Sequence, residues 1–202
     1  TPWRFKSSSR HQKTNTTGKD IMSIVKILQY PDPRLRKKGQ LVDDFGQKTQ
    51  QMIDDMFETH YAQDNCAALA CTQLDFKHPK RITVIDFSAN KGEPLCLVNG
   101  KIIETSGEQY EEEGCMSVGQ EVGMAFEKVK RAMTIKVRAQ DRHGEPLEFE
   151  AEGFMAKCIQ HEFDHLDGKL FIDHLSQLKR TRVDASLKKN SRLRKSKNEE
   201  ST

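Results

Sequence analysis

No apolar stretch in the 202-residue chain approaches the length of a membrane span. Its first twenty residues are polar and lack the apolar segment of a secretory signal. Cysteine is sparse and odd in number, at positions 66, 71, 96, 115 and 158. Without an export signal, that count argues against a disulfide framework and for a reducing, cytoplasmic setting. Internal repeats are missing, which removes the stacked-repeat architectures. The C-terminal stretch has no aromatic residue and no recognisable nucleic-acid motif.

What charge there is lies unevenly. Five Lys/Arg face one Asp in residues 1–21, and nine face three Asp/Glu in residues 179–202, so residues 22–178 carry a net −7 of the overall +3. An acidic body with a basic C-terminal segment is the distribution expected of a protein whose tail meets an anionic partner such as a nucleic-acid-rich particle. Basic ends that only aid solubility give the same pattern.

Residues 1–21, rich in Ser, Thr, Lys and Arg, are expected to be a disordered extension or a remnant of expression, with Met22 a candidate start. Ser23–Gln29 is apolar enough for a short strand. The Tyr30-Pro31-Asp32-Pro33 run predicts a turn, with Pro33 opening a short helical segment. From Asp44 to about Ala62, Phe45, Met52, Ile53, Met56, Phe57 and His60 recur at helical spacing. Asn65–Gln73 is a run of small residues, suited to close backbone approach or to a tight core turn. Composition predicts strands at Arg81–Phe87, Leu95–Val98 and Lys101–Glu104, the last two joined by an Asn99-Gly100 turn. Ala132–Gln140 and Leu147–Glu152 read as a hairpin. A last helix is expected from about Ser176, fading after Asn190. Strands in the middle and helices at either end predict an α+β fold with antiparallel sheets packed around a central helix, and with N-terminal and C-terminal helices.

That central helix carries His161-Glu162-Phe163-Asp164-His165, an HExxH pattern. Four residues apart on a helix, His161 and His165 share one face and can grip one metal ion, with Glu162 beside them as a base for an activated water. The pattern alone is equally that of a solvated face. Phe154, Met155, Cys158, Ile159, Phe163 and Leu166 at helical spacing predict that one side is buried, and Gly168 is a suitable stop. Two histidines leave a catalytic metal one protein ligand short. No spaced histidine follows of the HExxHxxGxxH kind, which disfavours that protease class. Upstream, Cys115 in Glu113-Gly114-Cys115-Met116-Ser117 offers a thiolate suited to zinc or ferrous iron. From its residue type alone, a buried core cysteine is the competing reading.

Three segments, Cys66–Gln73, Glu113–Ser117 and Gln160–Gly168, resemble in order and spacing the three signature motifs of the peptide deformylase family. EGCMS is similar to the family's EGC(L/M)S, and QHEFDHLDG to its QHExDHLxG. Supporting similarity in Leu28–Arg36, Arg81–Asp86, Ser106–Glu108 and Gly168–Leu175 spreads it over most of residues 22–178, the expected catalytic domain, followed by a basic helix and tail at 179–202.

The resemblance implies a metallohydrolase that removes formate from N-formylmethionine at the start of nascent chains. It implies Cys115, His161 and His165 as ligands of one divalent metal, Fe2+ first, with Zn2+ or Ni2+ also accepted. Glu162 would be the acid/base residue, and Gln73 and the Met116 N–H the oxyanion donors. Leu69, Cys158 and Ile159 would line a methionine pocket, or be plain core. The first motif departs from the family form GxGLAAxQ: Cys66 and Ala68 replace both glycines. The chain after Ser117 departs too, reading Val118-Gly119-Gln120-Glu121-Val122-Gly123-Met124 where Val/Ile-Pro and a nearby Arg are usual. Two rivals follow. One is an enzyme of this fold acting on another N-acyl group. The other is a weakly active homologue that binds the ribosome through Lys179–Lys197.

Overall fold

The computed structural model describes residues 23–199, so the extension expected at residues 1–21 lies outside the described residues. Among the described residues, seven strands and three α-helices alternate unevenly. Five strands form one antiparallel sheet in the order β1 (Ala68–Ala70), β2 (Ile82–Ile85), β3 (Leu95–Ser106), β6 (Thr134–Gln140) and β7 (Pro146–Glu152). The remaining two, β4 (Gln109–Gly114) and β5 (Phe126–Arg131), pair as a separate ribbon.

Side-chain alternation along the five-stranded sheet makes two cores, one on each face. Ala68, Ala70, Ile85, Leu97, Ile135 and Val137 pack against Ala156, Ile159, Phe163 and Leu166 of helix α2 (Gly153–Leu166). The intervening Leu69, Val84, Cys96 and Val98 pack against Ile53 and Met56 of helix α1 (Gln47–Tyr61). A third cluster sits under the ribbon, where Cys115, Val118 and Val129 meet Leu170–Ile172 and Val183 of helix α3 (Gln177–Glu199). The expected α+β architecture with antiparallel sheets about the HExxH helix is what is found.

Several local expectations are corrected. Ser23–Gln29 forms no strand; only Ile27 makes an isolated bridge, to Leu74. Asn99-Gly100 does not turn the chain, and β3 runs through it. Asn99 adopts φ 54° at a break in the register with β6, while its amide holds both the N–H and C=O of Val42, so the signal marks a bulge. The ribbon β4–β5 went unpredicted, because half of Gln109–Gly114 is charged and its outward face is exposed. Phe154, assigned to the buried face of α2, is exposed and meets Phe87 edge-on with ring centroids 5.1 Å apart. Helix α3 does not fade after Asn190 but continues to Glu199.

Helix α2 ends where Gly168 takes φ +74°. A Cβ there would sit 2.4 Å from the Arg36 carbonyl oxygen, so the chain beyond the HExxH helix closes tightly on the Pro33–Arg36 turn. Arg36 also pairs with Asp173, and Arg81 with Asp167 at 2.6 Å, fixing both sides of that turn.

Candidate metal centre

Helix α2 is pinned at several points, and its inner face meets the segment after β4. Gln160 clamps the backbone of Ala132, accepting from its N–H and donating to its C=O, both at 3.0 Å. Thr72 donates its hydroxyl to the carbonyl of His165 at 2.8 Å, tying the short 3-10 turn Cys71–Gln73 to the helix. These fixings bring Cys115, His161 and His165 together. One donor atom from each lies within 4.8 Å of the others. Cys115 Sγ stands 3.2 Å from His165 Nε2. All three are buried, as is Glu162.

Behind this cluster lies an ionic network. Glu113 accepts from His161 Nδ1 at 2.8 Å, which leaves the other ring nitrogen for the cluster. The same carboxylate receives two hydrogen bonds from Arg131, at 2.8 and 3.0 Å. Arg131 reaches on to Asp164 at 2.5 Å, and Asp164 meets His174 at 2.7 Å. Burial alone would raise the Glu113 carboxyl, but His161 and Arg131 together hold it at about 2. It is therefore a fixed negative charge that orients the imidazole from outside the cluster, a common arrangement behind metal-bound histidine.

Glu162 is placed differently. Burial pushes its carboxyl up to about 7, against the opposing pull of His161 and the Ala70 N–H. Its Oε2 atom is buried with no hydrogen-bond partner, and the same holds for His165 Nδ1. Gln73 accepts from the Ala70 N–H at 2.8 Å and aims its amide nitrogen at Cys115 Sγ (3.6 Å) and Ser117 Oγ (3.3 Å). Met116 follows Cys115 directly, and its carbonyl accepts from Gln29 at 2.8 Å.

One sulfur and two imidazole nitrogens, with a buried carboxylate beside them, fit a divalent first-row metal with three protein ligands and an open position. The sequence model of the polypeptide deformylase family matches residues 24–181. This chain belongs to the peptide deformylase family. Peptide deformylase 1 of Coxiella burnetii is 67% identical over 166 residues, which cover 82% of this chain and 96% of that protein. The crystal structure of a peptide deformylase from Legionella pneumophila aligns with a TM-score of 0.77 at 43% identity, covering 85% of this chain and 98% of that one. A peptide deformylase from Ehrlichia chaffeensis, solved in complex with actinonin, aligns at 0.75 and 33% identity, covering 85% and 99%.

The sequence-predicted residues fall in three places. Cys115, His161, His165, Glu162 and Gln73 converge at the cluster. Ala68, Cys158 and Ile159 belong to the core between the sheet and α2, whereas Leu69 is fully buried on the opposite face, under α1. Cys66 precedes β1 and is only partly buried. Burial pushes its thiol up to about 12, with Glu162 and Cys115 both near enough to add to the effect. Sequence reasoning passed over Glu113, Arg131 and Asp164. Two of them stand inside the quoted motifs, where their charge was a usable signal; Arg131 carried none.

Proposed function

We propose that this chain hydrolyses the formyl group from N-formylmethionine of nascent polypeptides. The observation that carries the reading is the buried Cys115/His161/His165 donor set with the unpartnered Glu162 oxygen beside it, within a chain of the peptide deformylase family. Cys115, His161 and His165 are the proposed ligands of one divalent metal, with Fe2+ favoured and Zn2+ or Ni2+ able to replace it. The bound metal supplies Lewis acidity at the reacting centre, by which water becomes nucleophilic near neutral pH. Glu162 takes the proton of the attacking water and returns it to the leaving amine. The Gln73 amide and the Met116 N–H stabilise the charge that develops on the formyl oxygen. Cys66, Ala68, Cys158 and Ile159 are the candidate surroundings of the methionine side chain, within a catalytic domain of residues 22–178; Leu69, on the opposite face of the sheet, falls outside them.

The test is formate release from a formyl-Met tripeptide by iron-loaded protein prepared without oxygen. Turnover of the formylated but not the acetylated peptide is expected. Release of acetate alone would transfer the assignment to another N-acyl substrate.

The basic helix α3 adds a partner. Its Lys/Arg-rich sequence supports docking on the ribosome, where nascent chains emerge in the cytoplasm. Co-sedimentation with ribosomes should disappear on deletion of residues 179–202; unchanged co-sedimentation would remove this partner.

A further inference from the structure

One edge of β1 is open, its Ala70 end lies by Glu162, and two glutamines bond to each other beyond the segment that leads into it. β1 is the last strand of its sheet. Ala67 accepts from the Asp86 N–H and Leu69 lies opposite Val84, so the peptide groups of Ala68 point away from β2. The Cys66 thiol covers the Ala68 carbonyl at 3.3 Å. At the Ala70 end of the strand are Gln73 and Glu162. Gln63, just past the C-terminus of α1, precedes the other end in the chain.

Gln63 does not stand alone there. Its carbonyl oxygen accepts from Gln120 Nε2 at 2.7 Å, and its own amide nitrogen donates to the Thr59 carbonyl of α1 at 3.3 Å. Gln120 belongs to the loop that follows Cys115-Met116-Ser117. Gln29 donates to Gln120 Oε1 at 3.5 Å and to the Met116 carbonyl at 2.8 Å. A chain of amides therefore runs from the end of α1 to the backbone beside Cys115, joining the segment that leads into β1 to the loop beyond the metal centre.

The loop is seated from its other side by α3. Gly119 has φ +90°, and a Cβ there would meet Leu187 Cδ2 and the Gly123 carbonyl oxygen, each at 2.6 Å. Arg194 donates to the Glu121 carbonyl. Gln120 is thus held in place by packing that the amide contact itself does not provide.

We infer that the Gln63–Gln120 hydrogen bond is a strap across the groove alongside β1, which a formylated peptide long enough to pass it must part. The inference rests on the deformylase reading above, with the substrate backbone lying along the open edge of β1 as an added strand. The formyl end then lies by Glu162 at the Ala70 end, and residues further along the substrate extend toward Gln63. The strap makes KM depend on peptide length: a short substrate stops before it, and a longer one competes with it.

The experiment compares KM for an amidated formyl-Met dipeptide and for an amidated hexapeptide with the same start, using metal-loaded full-length protein. Gln63→Ala removes the acceptor of the strap, so the hexapeptide-to-dipeptide KM ratio is expected to fall by about two- to tenfold, the range of one net hydrogen bond. Gln63→Glu gives up the long bond to the Thr59 carbonyl but keeps and charges the acceptor of the 2.7 Å bond, a larger gain, so the ratio is expected to rise. Gln120→Ala should reproduce Gln63→Ala from the opposite rim. Opposite movement by the Ala and Glu variants is a signature that simple loosening of the rim does not give. A ratio within twofold of wild type in both Ala variants, or Ala and Glu variants moving together, overturns the strap while leaving the deformylase reading intact. Metal-loaded wild-type protein that releases no formate from either peptide overturns both.

Discussion

At the scale of single residues, the centre separates groups that hold from groups that react. Cys115 supplies the only sulfur of the donor set. Its replacement by Ala should abolish stoichiometric metal, read by elemental analysis of the purified protein. Retained metal would return Cys115 to the role of a core cysteine. Glu162→Gln keeps the shape and removes the exchangeable proton. Metal content should be unchanged while formate release drops by about 100- to 10,000-fold, the usual contribution of a positioned acid/base. Glu113 stands behind the donor set, where its carboxylate fixes the His161 ring. Glu113→Gln is therefore a positioning variant. Metal affinity should weaken by about 10- to 100-fold, as measured by competition with a chelator. A variant that binds metal as tightly as wild type would show that the Arg131 network serves packing alone.

At the scale of elements, the strand that matters most is the shortest. β1 has three residues and depends on β2 and on the segment after it for its position. Asp86 is the link: its N–H holds Ala67, while its carboxylate accepts from Tyr61 (2.9 Å) and Ser88 (2.6 Å). Burial works to raise the Asp86 carboxyl, but the hydrogen bonds from Ser88 and Tyr61 outweigh it and the pKa is lowered. Its contribution to stability is therefore present above the unfolded value near 4 and is lost as pH falls through the lower folded value. Asp86→Asn should lower Tm at pH 7, and the gap from wild type should shrink as pH is taken below 4. A gap that widens in acid would reverse the assignment.

The same scale shows what was legible from the amino acids. α1, α2 and the β6–β7 hairpin stood out because their periodicity follows directly from which face is buried. The HExxH spacing and the EGC motif pointed to the same residues that the fold brings together. β4–β5 was hidden because a ribbon with one charged outer face lacks the apolar composition of a strand. The continuity of β3 was hidden because Asn-Gly serves a bulge as well as a turn. Arg131 was invisible, since its importance comes from Glu113 and Asp164, which reach it only through tertiary contacts.

At the scale of the whole molecule, α3 divides into two halves of different character. Its amino-terminal half is structural. Val183 is buried in the cluster under the ribbon, Leu187 packs at its margin, Lys179 pairs with Glu127 at 2.9 Å and Arg180 with Asp173 at 3.2 Å. The carboxyl-terminal half, from Lys188 onward, carries most of the positive charge, and none of its described side chains lies in that core. Deletions at two points should therefore behave differently. A chain ending at residue 187 keeps Val183 and Leu187, so its Tm should stay close to that of the full chain while ribosome association weakens. A chain ending at residue 176 uncovers the cluster that includes Cys115. Loss of Val183 burial alone costs about 1.5–3 kcal/mol, and both Tm and metal retention should fall. If the two deletions lower Tm equally, the distal half is part of the fold, and its charge cannot be assigned to a partner.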